Sequence, residues 1–242
     1  MKKTSIRLGV NIDHAATLRQ VRGGETDYPN LLQLTQIVKK SGGVQITIHL
    51  REDRRHIQDH DLEMLSKKCP LELNLEMAAT EEMTRIALMR RPDWCCFVPE
   101  KREELTTEGG LDVLGMQDKI SSFISRLKAK KILSSTFIEP DLKQVEASHK
   151  AGATAVEFHT GLWVRLKGEK KRVEWLRLQR AARIAHQLGL YVHAGHGLDF
   201  KSARSVRHLP FLREVNIGHS LICYSLSMGL GKAVKEMKRS LG

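Results

Sequence analysis

This sequence predicts an α/β fold, with eight parallel strands closed into a barrel and helices around it. Three observations predict it. First, a short apolar run ends in ionisable or phosphate-friendly residues eight times, at residues 8–14, 44–51, 71–77, 95–101, 134–140, 155–161, 190–197 and 214–220. Second, a helix-like segment follows each run, and this alternation argues for parallel pairing. Third, eight units favour closure, as a TIM (β/α)8 barrel with extra helices, over an open doubly wound sheet; the 242 residues also suit it. Such a barrel does its chemistry at the C-terminal ends of several strands at once, so the polar tips are where function is expected.

Taken in order, LGVNIDH is the first strand and tip, and Arg22-Gly23-Gly24 beyond it reads as a flexible cover carrying one cation. Residues 29–43 read as a helix opening with Pro29 and closing on Gly42 and Gly43. In VQITIHLR, Val44, Ile46 and Ile48 alternate with Gln45, Thr47 and His49; the helix at 59–70 stops at Pro70. LELNLEM sets Leu71, Leu73, Leu75 and Met77 against Glu72, Asn74 and Glu76. The next helix starts at Thr80 as N-cap, with acidic residues behind it, and ends before Pro92. CCFVPEK puts Cys95 and Cys96 on opposite faces. TTEGG beyond it reads as a capped helix start or a mobile lid, and residues 111–131 as a long helix with an extra leading piece. SSTFIEP, AVEFHTG, LYVHAGHG and EVNIGHS are the remaining strands, alternating with helices over 139–152, 167–187, 200–210 and 221–242. No Ser- or Pro-rich linker divides the chain, so residues 1–242 are expected to form a single catalytic domain.

Composition narrows the function. No apolar run approaches the roughly 20 residues of a membrane span, and no signal core precedes the first strand, so a cytoplasmic protein is expected. The four cysteines form neither a CxxC nor a zinc-like quartet and read as buried free thiols. Lys and Arg number 40 against 28 Asp and Glu, a formal charge of +12, which favours anionic partners. Much of that charge lies on the helix at 167–187, where Leu178, Ala181, Ala182, Ala185 and Leu188 form one face and Lys170, Arg177 and Arg180 lie away from it. Aromatic residues are only 5% and do not interleave with the basic ones, which weighs against nucleic acid as a partner.

The tips carry the candidate chemistry. Beyond the second strand, Arg51 is placed to bind phosphate as a planar fork, and His49 and His56 to move protons; an exposed ion-pair network with Glu52 and Asp53 is the alternative, and Arg54 and Arg55 read as structural. Glu76 sits near the reactive rim if the polar face of its strand points inward. Desolvated there, it would have a raised pKa and suit acid–base work; a structural ion pair is the alternative. AGHGL and NIGHS, after the seventh and eighth strands, offer glycine turns and helix N-termini to phosphate.

NIDHAATLRQVRGG, HLREDRRHI, NLEMAATEEM, VPEKREELTTEGGLDV, EFHTG, AGHGL and NIGHSLI closely resemble the pyridoxine 5′-phosphate synthase family, from about residue 7 to the C-terminal helix. The resemblance implies a TIM barrel in a homo-octamer, with no metal and no organic cofactor. It implies ring-closing condensation of 1-deoxy-D-xylulose 5-phosphate with 3-amino-2-oxopropyl phosphate, giving pyridoxine 5′-phosphate, phosphate and water. By resemblance, His49 and Glu76 are general bases, His196 a general acid and Glu157 a transition-state stabiliser. Asn11, Arg22, Gly197, Gly218 and His219 hold the aminoketone phosphate. Asp13, His14, Arg51, His56 and Thr106 hold the deoxyxylulose phosphate. This chain departs from the family at His193, an Asn-like position, and in GLWVRLKGEKKRVEW.

Other readings compete. A different barrel lyase or isomerase of one sugar phosphate would use the same phosphate turns. A metal-dependent hydrolase would gather His193, His196, His14, His49 and Asp13. Glu139, in the fifth tip, reads as a structural carboxylate.

Overall fold

The computed structural model describes residues 5–106 and 109–242. Among these residues, eight strands close a parallel barrel in sequence order: β1 Arg7–Asn11, β2 Gln45–His49, β3 Glu72–Met77, β4 Trp94–Phe97, β5 Leu133–Ile138, β6 Ala155–His159, β7 Tyr191–Gly195 and β8 Leu212–Ile217. Each polar-tipped run overlaps one strand, and β8 returns to β1 with Leu8 opposite Val215.

The helices around the described barrel are α1 Asp13–Gln20, α2 Leu31–Lys40, α3 Asp59–Lys68, α4 Glu81–Arg90, α5 Gln117–Ala129, α6 Leu142–Lys150, α7 Gly161–Arg165, α8 Gly168–Gln187, α9 Phe200–Val206, α10 His219–Met228 and α11 Leu230–Leu241. Thr80 caps α4 as expected, accepting from the Met83 N–H at 3.3 Å. The apolar face of α8 is buried at Leu178, Ala181, Ala182 and Ala185.

Three expectations change. The sequence predicts no helix between the first tip and Pro29, and the structure has one: Asp13 and His14 open α1, and Arg22 follows its last turn. The leading piece of the helix at 111–131 is turn and bridge, with Leu111 paired to Leu105. The C-terminal segment is two helices, because Gly229 turns the chain at φ 80°, a conformation that L side chains disfavour. The expectation for the cysteines also holds only in part: Cys95 and Cys96 are buried, Cys69 is half-buried and Cys223 is exposed.

Strand alternation divides the core. Leu8, Val10, Ile46, Ile48 and Leu75 are fully buried in the apolar core. Gln45, Thr47, Asn74, Glu157, Glu214 and Asn216 are buried too, and are joined to one another across strands. TIM barrels usually fill this interior with branched apolar side chains; here it is a hydrogen-bonded polar column. Arg7 bonds Glu72 at 2.7 Å and Glu214 at 2.8 Å at its base. Gln45 joins Glu214 at 2.7 Å to Asn216 at 3.2 Å, and Asn216 donates to Glu157 at 2.7 Å. These bonds offset most of the cost of burying the polar groups. Two glycines make the column possible: a Cβ at Gly9 would overlap the Asn216 amide oxygen, and one at Gly195 the Glu157 carboxylate.

Candidate active site

A cavity of about 670 Å³ opens at the C-terminal ends of the strands, above the polar column. On one wall, His49 ends β2 and Glu76 lies near the end of β3, in register with it. His49 Nδ1 is 3.9 Å from Glu76 Oε2, and its Nε2 is 2.8 Å from Glu100 Oε1. The other Glu100 oxygen accepts from the Glu52 N–H at 3.1 Å and lies 3.9 Å from the Arg51 guanidinium. Asp13 lies beneath them: one carboxylate oxygen accepts from the His49 N–H at 2.8 Å and the other from the Asn11 amide at 2.7 Å.

This wall sorts its carboxyls by environment. Burial, reinforced by Asp13 and Glu157, pushes Glu76 well above the usual carboxylate range. Burial also lifts Asp13 to about 6, against the pull of His49, its hydrogen bonds and Arg51. Glu100 goes the other way: burial raises it, but the His49 bond and charge, the Glu52 N–H and Arg51 outweigh that and hold it low. A protonatable carboxyl thus faces a histidine backed by an ionised one, as repeated proton transfer needs. Glu157 is 3% exposed, and burial lifts it to about 7 although Asn216 donates to it.

The opposite wall is built on turns. His196 follows β7 at φ 70° and Gly197 at φ 76°, two successive left-handed residues, the first of them strained for a side chain. Thr160 fixes this turn by donating at 2.7 Å to the carbonyls of both Gly195 and His196. Ser220 donates to the Leu198 carbonyl at 2.6 Å, tying the turn to the start of α10. Gly218 precedes that helix, and a Cβ there would press on Asn11 at 2.9 Å. The His14 and His219 rings meet at 5.0 Å, and Arg165 at the end of α7 also lines the cavity. Burial, with His159 and Arg165 next in effect, pushes His196 down to about 4, so it is neutral at pH 7. The N-terminus of α10, Arg165 and several histidines make this rim a setting for phosphate dianions, with Arg51 on the facing wall.

Of the residues expected from the sequence, Asn11, His14, His49, Arg51, Glu76, Glu157, His196, Gly197, Gly218 and His219 line this one cavity. Asp13 sits directly behind the lining, and His56 meets the His49 ring at 6.1 Å. Thr106 lies in the loop whose Leu105 and Gly109 line the cavity, and its buried hydroxyl has no partner among the described residues. Arg22 is exposed and is not among the lining residues. The expected lid falls partly on Thr107 and Glu108, outside the described residues. Arg54 and Arg55 pair with Asp59, Glu82 and Asp53, as structural cations do.

The residues imagined as metal ligands are not gathered. His193 lies at the N-terminal end of the barrel, 3.7 Å from Glu214, beside a separate cleft of about 270 Å³. Glu100, His159, Glu139, Arg165 and Asn216 are brought to the site by folding, and two have a signal in their own strands: Asn216 follows Glu214 in EVNIGHS, and His159 follows Glu157 in AVEFHTG, each two residues later and hence on the same polar face.

A family model described as pyridoxal phosphate biosynthesis protein PdxJ matches residues 8–242. A protein from Bdellovibrio bacteriovorus named pyridoxine 5′-phosphate synthase is 60% identical over 239 residues, covering 99% of both chains. Another of that name, from Thioalkalivibrio sulfidiphilus, is 49% identical, covering 99% of this chain and 97% of its own. Among solved structures, orotidine 5′-monophosphate decarboxylase from Methanocaldococcus jannaschii superposes with a TM-score of 0.67 at 13% identity, covering 99% of this chain and all of its own. 3-Hexulose-6-phosphate synthase from Salmonella typhimurium gives 0.66 at 12% identity, covering 98% of each. At such low identity these two speak to the barrel fold alone.

Proposed function

The chain belongs to the family of pyridoxal phosphate biosynthesis protein PdxJ, and we propose that its barrel mouth acts as a pyridoxine 5′-phosphate synthase. It joins 1-deoxy-D-xylulose 5-phosphate to 3-amino-2-oxopropyl phosphate and closes the pyridine ring, releasing phosphate and water. The observation that carries the mechanism is the pairing, in one cavity, of a proton-transfer wall with a phosphate-friendly rim.

On the first wall, His49 and Glu76 act as general bases, and Glu100 holds His49 in one orientation. Arg51, His14, His56, Asp13 and Thr106 hold the deoxyxylulose phosphate. Arg22, which lies outside the cavity lining, and Asn11, Gly197, Gly218 and His219, which form part of it, hold the aminoketone phosphate. A dianion there draws a proton onto the otherwise neutral His196 and so arms it as a general acid. Glu157, poised at about 7, stabilises charge deep in the cavity. Each well-placed acid or base contributes about 10²–10⁴-fold. No metal or organic cofactor enters these steps. The family resemblance also supports a homo-octamer in the cytoplasm, which sedimentation and cell fractionation test.

The deciding experiment mixes both substrates with purified protein and follows pyridoxine 5′-phosphate and inorganic phosphate together. Equal amounts of both are expected. Turnover of one sugar phosphate alone, with no pyridine product, would replace this reading with a single-substrate lyase or isomerase.

A further inference from the structure

His159 lines the cavity with a carboxylate, Glu139, behind it, a second carboxylate–histidine pair that the roles above leave idle. Glu139 follows β5 and is 1% exposed; its Oε1 lies 2.6 Å from Nδ1 of His159, the last residue of β6. The His159 ring lines the cavity and meets the His196 ring edge-on at 4.8 Å. His49 on the other wall also meets a carboxylate, Glu100 at 2.8 Å, but through Nε2, whereas Glu139 takes Nδ1 and leaves the opposite nitrogen of its ring. A carboxylate accepting from Nδ1–H leaves the lone pair on Nε2 and stabilises the imidazolium when it forms. The Nε2 edge faces Gly161, where a Cβ would come within 2.8 Å of both that nitrogen and the His196 ring; glycine keeps the space open. The second Glu139 oxygen is buried without a hydrogen-bond partner among the described residues.

On the reaction proposed above, we propose that His159 is a further catalytic acid–base residue and Glu139 its positioning carboxylate. The step assigned is imine formation. Nε2 takes the proton from the carbinolamine nitrogen as the C–O bond breaks and C=N forms. The departing hydroxide then takes that proton and leaves as water, and His159 returns to neutral. The groups facing His159 are Glu139 from the end of β5, His196 from the turn after β7, Arg165 from α7 and Glu157 from its own strand.

The test assays His159→Gln, His159→Gly and Glu139→Gln with both substrates across pH. His159→Gln should lower kcat by about 10²–10⁴-fold with KM for each substrate nearly unchanged. Imidazole in solution should partly restore His159→Gly, which a merely structural residue would not permit. Glu139→Gln should move the acidic limb of the kcat profile to lower pH, because the imidazolium loses its partner. A normal kcat in His159→Gln overturns the proposal, as does lost activity in a folded His159→Gly that imidazole leaves unrestored. If the His159 variants do not fold, the Glu139→Gln limb decides, and an unmoved limb refutes it. Wild-type protein that makes no pyridoxine 5′-phosphate sinks the reaction itself; a fully active His159→Gln sinks only this role.

Discussion

Glu157→Gln should make the protein more stable in mild alkali while damaging its chemistry. Burial holds the Glu157 carboxyl at about 7, against an ordinary 4.5. That gap is worth about 3 kcal/mol at 1.36 kcal/mol per pH unit. Below the ordinary value the group is protonated in both folded and unfolded chains, and stability is full. As pH climbs from there through about 7, the unfolded chain gives up its proton first, and stability drains away over that window. Glutamine cannot ionise, and its amide oxygen can still accept from Asn216 at the present 2.7 Å. Wild type and variant should therefore match at about pH 4 and differ by about 3 kcal/mol at about pH 8.5. At about 2–4 °C per kcal/mol for a chain of this size, that is roughly 6–12 °C in Tm. Urea melts of both proteins at both pH values measure it; the double difference cancels Asp13, which titrates in each, and retains the part of the Glu76 shift that the Glu157 charge supplies. A gap that does not change with pH would refute the assignment of this carboxyl to a desolvated, protonated interior.

Three further outcomes follow from named contacts. Arg19→Met should cost about 3–5 kcal/mol in denaturant melts, because it strands buried Asp61, whose two oxygens now take both guanidinium arms; a loss under about 1 kcal/mol would mean that solvent reaches Asp61. Gly195→Ala should lower both stability and kcat, since its methyl group overlaps the Glu157 carboxylate; a crystal structure showing Glu157 unmoved would contradict this. Glu100→Gln should lower kcat by about 10- to 100-fold, the value of one charge-assisted hydrogen bond, and a normal kcat would remove Glu100 as the partner that orients His49.

Much of the site was legible because strand chemistry is local. In VQITIHLR and LELNLEM the two-residue period alone sends His49 and Glu76 to one face, and parallel pairing then sets them side by side in register. The α1 helix was not legible. Its N-cap position is Ile12, which offers no side-chain cap, and its first-turn N–H at Asp13 is met instead by the Asn11 side chain. Glu100 and Glu139 escaped for a different reason. Their partners lie 51 and 20 residues away in sequence, so Glu139 reads only as a structural carboxylate and nothing local marks what Glu100 meets.

The sequence by itself determined the fold class, the strand tips and the two glycine turns after the seventh and eighth strands, because periodicity and turn chemistry act over a few residues. Closure of the barrel decided the rest. It set a polar column inside, gave each buried carboxyl its own neighbours, and so parted Glu76, Asp13 and Glu157, which burial lifts, from Glu100, which a histidine and an arginine hold low. Desolvation and Coulomb energy depend on distances between strands, and only the tertiary structure fixes those.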